Sequence, residues 1–130
     1  SMANLDHRAY GHDRSRLLGR LLQGGPDPGL GFFQADQLQG FLLLRPGARA
    51  AFLGPCVALG AAGPALLAAG LSRCAGQALF VDVPESNQAA RTLLEQQGLR
   101  VQRQLMRMRR GEPLLGDWNL IWCSAGPEKG

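Results

Sequence analysis

Two carboxylates, Asp82 and Glu85, lie at the end of a short strand-like run, Leu79 to Val83. A carboxylate in such a place can act as a general base and take a proton from a reacting group. Both residues also have a commoner structural use: Asp82 as a turn or capping acceptor, and Glu85 as a favourable charge in the first turn of a helix. We favour the structural use and keep both as candidate catalytic residues.

Asn87 follows these carboxylates and opens a helical pattern that ends at Gly98. A short side-chain acceptor at this point can cap the free backbone N–H groups of the first helical turn. The same amide could contact a bound ligand, and the two roles can coexist. We give them equal weight.

A glycine-rich stretch, Leu59 to Pro64, precedes another helical pattern. Gly60 and Gly63 could let a phosphate group approach backbone N–H groups at the helix start, although Pro64 removes one donor. The alternative is a helix entry that only packs tightly, because a single loop of this type is a weak signal.

Metal and disulfide chemistry have little support. His7 and His12 are poorly spaced for one helical face and lack acidic or thiol partners at metal-site spacing. The three cysteines, Cys56, Cys74 and Cys123, stand far apart, and their odd number does not suggest a disulfide framework. We expect no metal site and reduced, mostly buried thiols.

The 130 residues, 45% of them hydrophobic, suit one domain. We expect residues 1–2 to be a tag remnant, residues 3–126 a single domain and residues 127–130 a polar tail. The absence of a long apolar segment predicts a cytoplasmic protein without membrane contact. The net charge of +4 could favour anionic ligands, but we do not expect a nucleic-acid partner, because basic and aromatic residues do not interleave.

Hydrophobic periodicity and turn residues set the order of elements. That order is a helix, three strands, a helix, a strand, a helix and two strands, over Asp6–Gln23, Leu30–Gln34, Leu38–Leu44, Ala50–Ala58, Gly60–Cys74, Leu79–Val83, Asn87–Gly98, Leu99–Met108 and Trp118–Cys123. The first of these elements is one helix or two short ones, because Gly11 and Gly19 interrupt its pattern. Short connections make the first three strands an antiparallel meander, and the strand-helix-strand unit that follows makes one parallel pair. Gly54-Pro55 predicts a bulge or edge within the third strand.

This order, together with Asn87-x-x-Ala90-x-x-Leu93-Leu94-x-x-x-Gly98-Leu99, resembles the GNAT family of N-acetyltransferases. The resemblance implies an α/β fold with a mixed central sheet and helices on both faces. It also implies acetyl-CoA, or coenzyme A, as the substrate that supplies and carries the acyl group.

The resemblance assigns cofactor contacts residue by residue. Asn87 matches the asparagine near the coenzyme A arm, and the strand carrying Cys56, Val57 and Ala58 matches the one whose backbone holds acyl-pantetheine. Gly60 and Gly63 fall in the phosphate loop, which here lacks the usual leading arginine or glutamine. Leu94 stands where many members have a tyrosine that serves as general acid.

The match also covers Asp6-x-x-x-Tyr10-Gly11-x-Asp13-Arg14 and Phe80-x-Asp82-x-Pro84, and is similar to the C-terminal GNAT-like domain of two-domain bacterial acetyltransferases. It implies acetyl transfer to a small-molecule or peptide amine, with an upstream domain or homodimer partner covering the open sheet edge. The alternative is a non-catalytic module with a degenerate coenzyme A site.

Overall fold

The computed structural model describes residues 1–11, 13–16, 18, 29–45, 50–84, 86–100 and 120–124. Its helices are α1 (Met2–Tyr10), α2 (Ala62–Arg73) and α3 (Gln88–Gln96). Its strands are β1 (Gly29–Gln34), β2 (Gln37–Arg45), β3 (Ala51–Ala58), β4 (Leu79–Val81) and β5 (Ile121–Cys123). None of the helices in these ranges has the length and apolar character needed to cross a membrane.

The described strands form one mixed sheet in the order β1-β2-β3-β4, with β5 paired to β3. The β1–β2 and β2–β3 pairs are antiparallel, whereas β3 and β4 are parallel. Helix α2 connects β3 to β4, as a parallel pair requires. The predicted meander, crossover and mixed sheet are therefore confirmed.

Helices pack on both faces of this sheet. Leu42 and Leu43, neighbours in β2, belong to different hydrophobic clusters because successive strand residues point to opposite faces. One cluster joins Leu43 to side chains of α1, including Tyr10. The other joins Leu42 to α2 and α3, including Leu67. The predicted helices on both faces are confirmed.

The first helix differs from its prediction over Asp6–Gln23. It begins after Ser1, whose Oγ accepts a hydrogen bond from the Asn4 N–H, and ends at Gly11, which has φ of 80°. Glycine adopts this left-handed conformation without steric cost, so the residue predicted to interrupt the pattern ends the helix instead. Only part of the predicted remainder, residues 13–16 and 18, is described.

A buried ion pair joins α1 to the segment that follows it. The Arg14 guanidinium donates from Nε to Asp6 Oδ2 over 3.0 Å and from Nη2 to Asp6 Oδ1 over 3.1 Å. The same guanidinium lies 3.5 Å from the ring centroid of Tyr10. This two-bond geometry fixes the chain as it turns back at Gly11.

The last two predicted strands are described only in part. Helix α3 ends at Gln96 with Gln97 as its C-cap, and Gly98 at φ of 95° turns the chain away, as predicted. Of the predicted Leu99–Met108 strand, residues 101–108 lie outside the described residues, and Leu99 and Arg100 are not in a strand. Of the predicted Trp118–Cys123 strand, Ile121–Cys123 form β5 and Leu120 is not in a strand, while residues 118–119 lie outside the described residues.

Candidate functional site

Strand β3 changes its neighbour at Gly54-Pro55. Residues Ala51 to Leu53 pair with β4, whereas Cys56 and Val57 pair with β5 on the antiparallel register Cys56↔Cys123 and Val57↔Ile121. Against β2, the register shifts across the same point, so the predicted bulge is present. The pairing of β3 with β4 thus stops at Leu53, and β5 continues along β3.

Strand β5 is attached on its other side to the end of β4. The Ser124 N–H donates to the Asp82 carbonyl oxygen over 2.7 Å, and the two residues form an antiparallel bridge. Residues 121–124 therefore run between β3 and the extension of β4. The protein's own backbone therefore occupies the position where the family resemblance predicts an acyl-pantetheine chain.

Gly54 allows this close approach. Its φ is 134°, a conformation that residues with a side chain rarely adopt. A Cβ atom at this position would collide with the Ser124 carbonyl oxygen and lie 3.3 Å from Cys123 Sγ. The glycine is thus needed both for its backbone conformation and for contact with the chain after β5.

Asn87 connects the start of α3 to β5. Its Oδ1 accepts a hydrogen bond from the Ala90 N–H over 3.0 Å, and its Nδ2 donates to the Ile121 carbonyl oxygen over 3.0 Å. The residue is only 8% exposed. The predicted N-cap is confirmed, while contact with coenzyme A remains a prediction. Sequence pattern could reveal the cap, but not the distant Ile121 partner.

Trp122 packs its indole ring against the first turn of α2. The ring is 8% exposed and lies so close to Gly63 that a Cβ atom there would overlap with indole Cε2. Gly63 therefore has a packing role, the alternative that the sequence left open for this loop. Its predicted phosphate contact stays a prediction.

The rest of the glycine-rich loop is more open. Gly60 has φ of 51°, and a Cβ atom there would meet no atom within 4 Å. Helix α2 begins after Ala61, which has no side chain able to cap it. The Ala62 and Gly63 N–H groups donate to the Leu59 and Gly60 carbonyls over 3.0 and 3.4 Å. The loop thus leaves space for a ligand at Gly60, but the Ala62 and Gly63 N–H groups are already hydrogen-bonded within the turn.

Two thiols face each other beneath the β3–β5 pair. Cys56 and Cys123 are fully buried, and their side chains lie next to each other. Burial, together with this contact, raises the pKa of Cys123 well above its usual range. Burial also raises the pKa of Cys74, which follows α2. The three cysteines are free thiols, as the sequence predicted.

The candidate general bases are only partly described. Asp82 is half-buried at the end of β4, where its backbone holds Ser124; Glu85 lies outside the described residues. Leu94, at the position of the family's frequent tyrosine, is 4% exposed and has no group that could donate a proton. Asp82 thus lies directly after the last pair of β3 and β4, Leu53 with Val81, where the two strands stop pairing.

The sequence profile of the family described as "Acetyltransferase (GNAT) domain" matches residues 2–123. No curated protein and no solved structure matches the chain. The profile spans every helix and strand described above, from α1 to the end of β5. The matched family agrees with the mixed sheet and the helices on both of its faces, and with the order of elements predicted from the sequence. The chain belongs to the GNAT acetyltransferase family.

Proposed function

We propose that this domain is an acyl-CoA-dependent N-acyltransferase that moves an acetyl group from acetyl-CoA to a small-molecule or peptide amine. One observation carries the proposal: parallel strands β3 and β4 stop pairing after Leu53, and α3 begins with Asn87 beside the separation. Separated parallel strands offer backbone donors and acceptors to an extended ligand. The family supplies the acyl-CoA chemistry.

In this proposal the acyl-pantetheine chain lies along Cys56, Val57 and Ala58, and the phosphates lie near Gly60. Since β5 now pairs with that edge of β3, its residues must shift before the ligand can enter. Asn87 Nδ2 would then exchange the Ile121 carbonyl for a ligand acceptor. The geometry predicts competition between β5 and acetyl-CoA for the same backbone groups.

The proposed reaction is direct. The amine nitrogen attacks the thioester carbonyl, the tetrahedral intermediate collapses, and the coenzyme A thiolate leaves. Asp82 would take the proton lost by the amine, directly or through water. With Leu94 in place of an acid, positioning of the two substrates would supply much of the rate. Glu85 remains the second candidate base.

The proposed partners follow from the family and from the sheet. Among the described residues, β1 pairs with β2 alone, which leaves its other edge for a strand of an upstream domain or a second copy. We place the protein in the cytoplasm, where acetyl-CoA and amines are both available. Light scattering of the chain at several concentrations measures whether two copies associate.

A second candidate function rests on the position of β5. A strand that pairs with β3, bridges to Asp82 and buries Trp122 would hold the cleft closed in a non-catalytic module. Such a module would use the fold for contact with a partner, and it would not consume acetyl-CoA.

A turnover assay separates the two candidates. The reduced protein is incubated with acetyl-CoA and a panel of amines, and release of coenzyme A thiol is followed. We expect amine-dependent release that falls about 100-fold in Asp82→Asn, since general-base catalysis contributes roughly that much. Asp36→Asn is the matched control, because Asp36 is exposed in the β1–β2 turn and asparagine tolerates its φ of 64°. No release with any amine would favour the non-catalytic module.

A further inference from the structure

Cys56 and Cys123 are directly opposed across the β3–β5 pair. Residues opposed in an antiparallel pair have Cα atoms about 4.5–5.5 Å apart, within the roughly 4.4–6.8 Å that a disulfide spans. Both side chains lie in the same hydrophobic cluster and have no exposed surface. Little backbone movement would be needed to join the two sulfur atoms.

We propose that Cys56 and Cys123 are a disulfide-forming pair whose oxidation fastens β5 to β3. A low-molecular-weight disulfide can serve as oxidant. One cysteine thiolate attacks it and releases one thiol, and the second thiolate then attacks the mixed disulfide and releases the other. The two cysteines lose two protons and two electrons, and the oxidant is reduced to two thiols.

Burial controls how fast this pair reacts. Neither thiol has exposed surface, so an oxidant reaches them only when the short strand β5 transiently separates from β3. The raised pKa of Cys123 keeps the nucleophilic thiolate scarce near neutral pH. Oxidation is therefore slow and becomes faster as the pH rises.

The disulfide would also affect the ligand cleft. This consequence rests on the proposed function, in which acyl-pantetheine takes the edge of β3 that β5 now occupies. A covalent bond between Cys56 and Cys123 prevents β5 from leaving that edge. The oxidised protein would then lose acetyl-CoA binding, and reduction would restore it.

The covalent part is tested on the full chain without ligand. Diamide, which accepts two hydrogen atoms from a thiol pair, is added at several pH values, and intact mass and linked peptides are measured. We expect a mass loss of two hydrogen atoms, a Cys56–Cys123 peptide and one remaining thiol, Cys74. The midpoint of thermal unfolding should rise by about 10 °C, because the bond closes a long loop.

Cys74→Ser should leave the oxidation unchanged, whereas Cys56→Ser and Cys123→Ser should abolish it. The proposed Cys56–Cys123 disulfide would be refuted if wild-type protein keeps three thiols at every pH up to the onset of unfolding. It would also be refuted if Cys74 forms the disulfide instead. The wild type alone decides this outcome, even where a serine variant folds poorly.

The effect on the cleft is tested by titrating acetyl-CoA into reduced and oxidised wild-type protein. Binding only to the reduced form supports the closure, and equal affinity of both forms rejects it. If the reduced protein does not bind at all, the proposed function fails and the closure fails with it, while the disulfide is still decided by mass. The two failures are thus distinguishable.

Discussion

Replacing Asn87 by alanine removes two hydrogen bonds from one buried position. The first caps α3 through the Ala90 N–H, and such a cap contributes about 1 kcal/mol. The second is accepted by the Ile121 carbonyl, and a buried acceptor left without its donor costs about 1–3 kcal/mol. We therefore expect Asn87→Ala to lower the free energy of unfolding by about 3 kcal/mol.

Urea unfolding followed by circular dichroism measures this loss. With an m-value of about 2 kcal/mol per molar urea, the midpoint should fall by about 1.5 M. Asn87→Ser keeps a capping oxygen, but its shorter side chain does not reach the Ile121 carbonyl, so its loss of stability should be smaller than that of Asn87→Ala. Ser1→Ala is the matched control, since it removes only an exposed cap, with a 3.3 Å bond to Asn4. If Asn87→Ala costs no more than Ser1→Ala, the link between α3 and β5 is wrong.

Three further perturbations test the packing and the charges. Gly63→Ala should cost about 1–3 kcal/mol in urea unfolding despite its better helix propensity, because the new methyl group overlaps with Trp122; an increase in stability would contradict the contact. Asp6→Asn should lower the free energy of unfolding by about 3–5 kcal/mol, because it leaves Arg14 buried without its carboxylate. Arg14→Lys should also destabilise the protein, because lysine cannot form both hydrogen bonds with Asp6. Thermal midpoints within a degree of wild type would contradict the buried pair. Since the pKa of Cys123 is raised above its ordinary value of 9.0, the folded state keeps a proton that the unfolded state loses. Stability should fall by up to about 1.4 kcal/mol per pH unit above pH ~9, and Cys123→Ser should reduce that slope in urea titrations at each pH.

Local patterns predicted most of the fold. Apolar runs bounded by turn residues marked β1, β2 and β3 to within one residue, and the short connections between them required antiparallel pairing. For Asp6–Gln23 the apolar periodicity left one helix or two short ones open; Gly11 ends the first helix, which begins four residues earlier than predicted, at Met2. A single left-handed residue ends a helix whatever the spacing of the leucines beyond it, and spacing alone does not show its φ.

The candidate site was predictable only where its contacts are local. The Asn87 cap depends on residues three positions apart, and the Gly54-Pro55 break follows from the chemistry of those two residues. The position of β5 depends on contacts across more than sixty residues, Cys56 with Cys123 among them. No spacing rule specifies which strand lies where β3 and β4 stop pairing, so the position of β5 could not be predicted from the sequence.

Calorimetric titration of the reduced 130-residue chain with acetyl-CoA tests the central claim most directly. An acyl-CoA-dependent transferase should show saturable binding at one site, and the oxidised protein should lose it. The affinity should be lower than that of a preformed cleft, since opening at β5 reduces the population able to bind. Protein that unfolds with a normal cooperative transition, yet releases no heat of binding at any acetyl-CoA concentration, would contradict the claim.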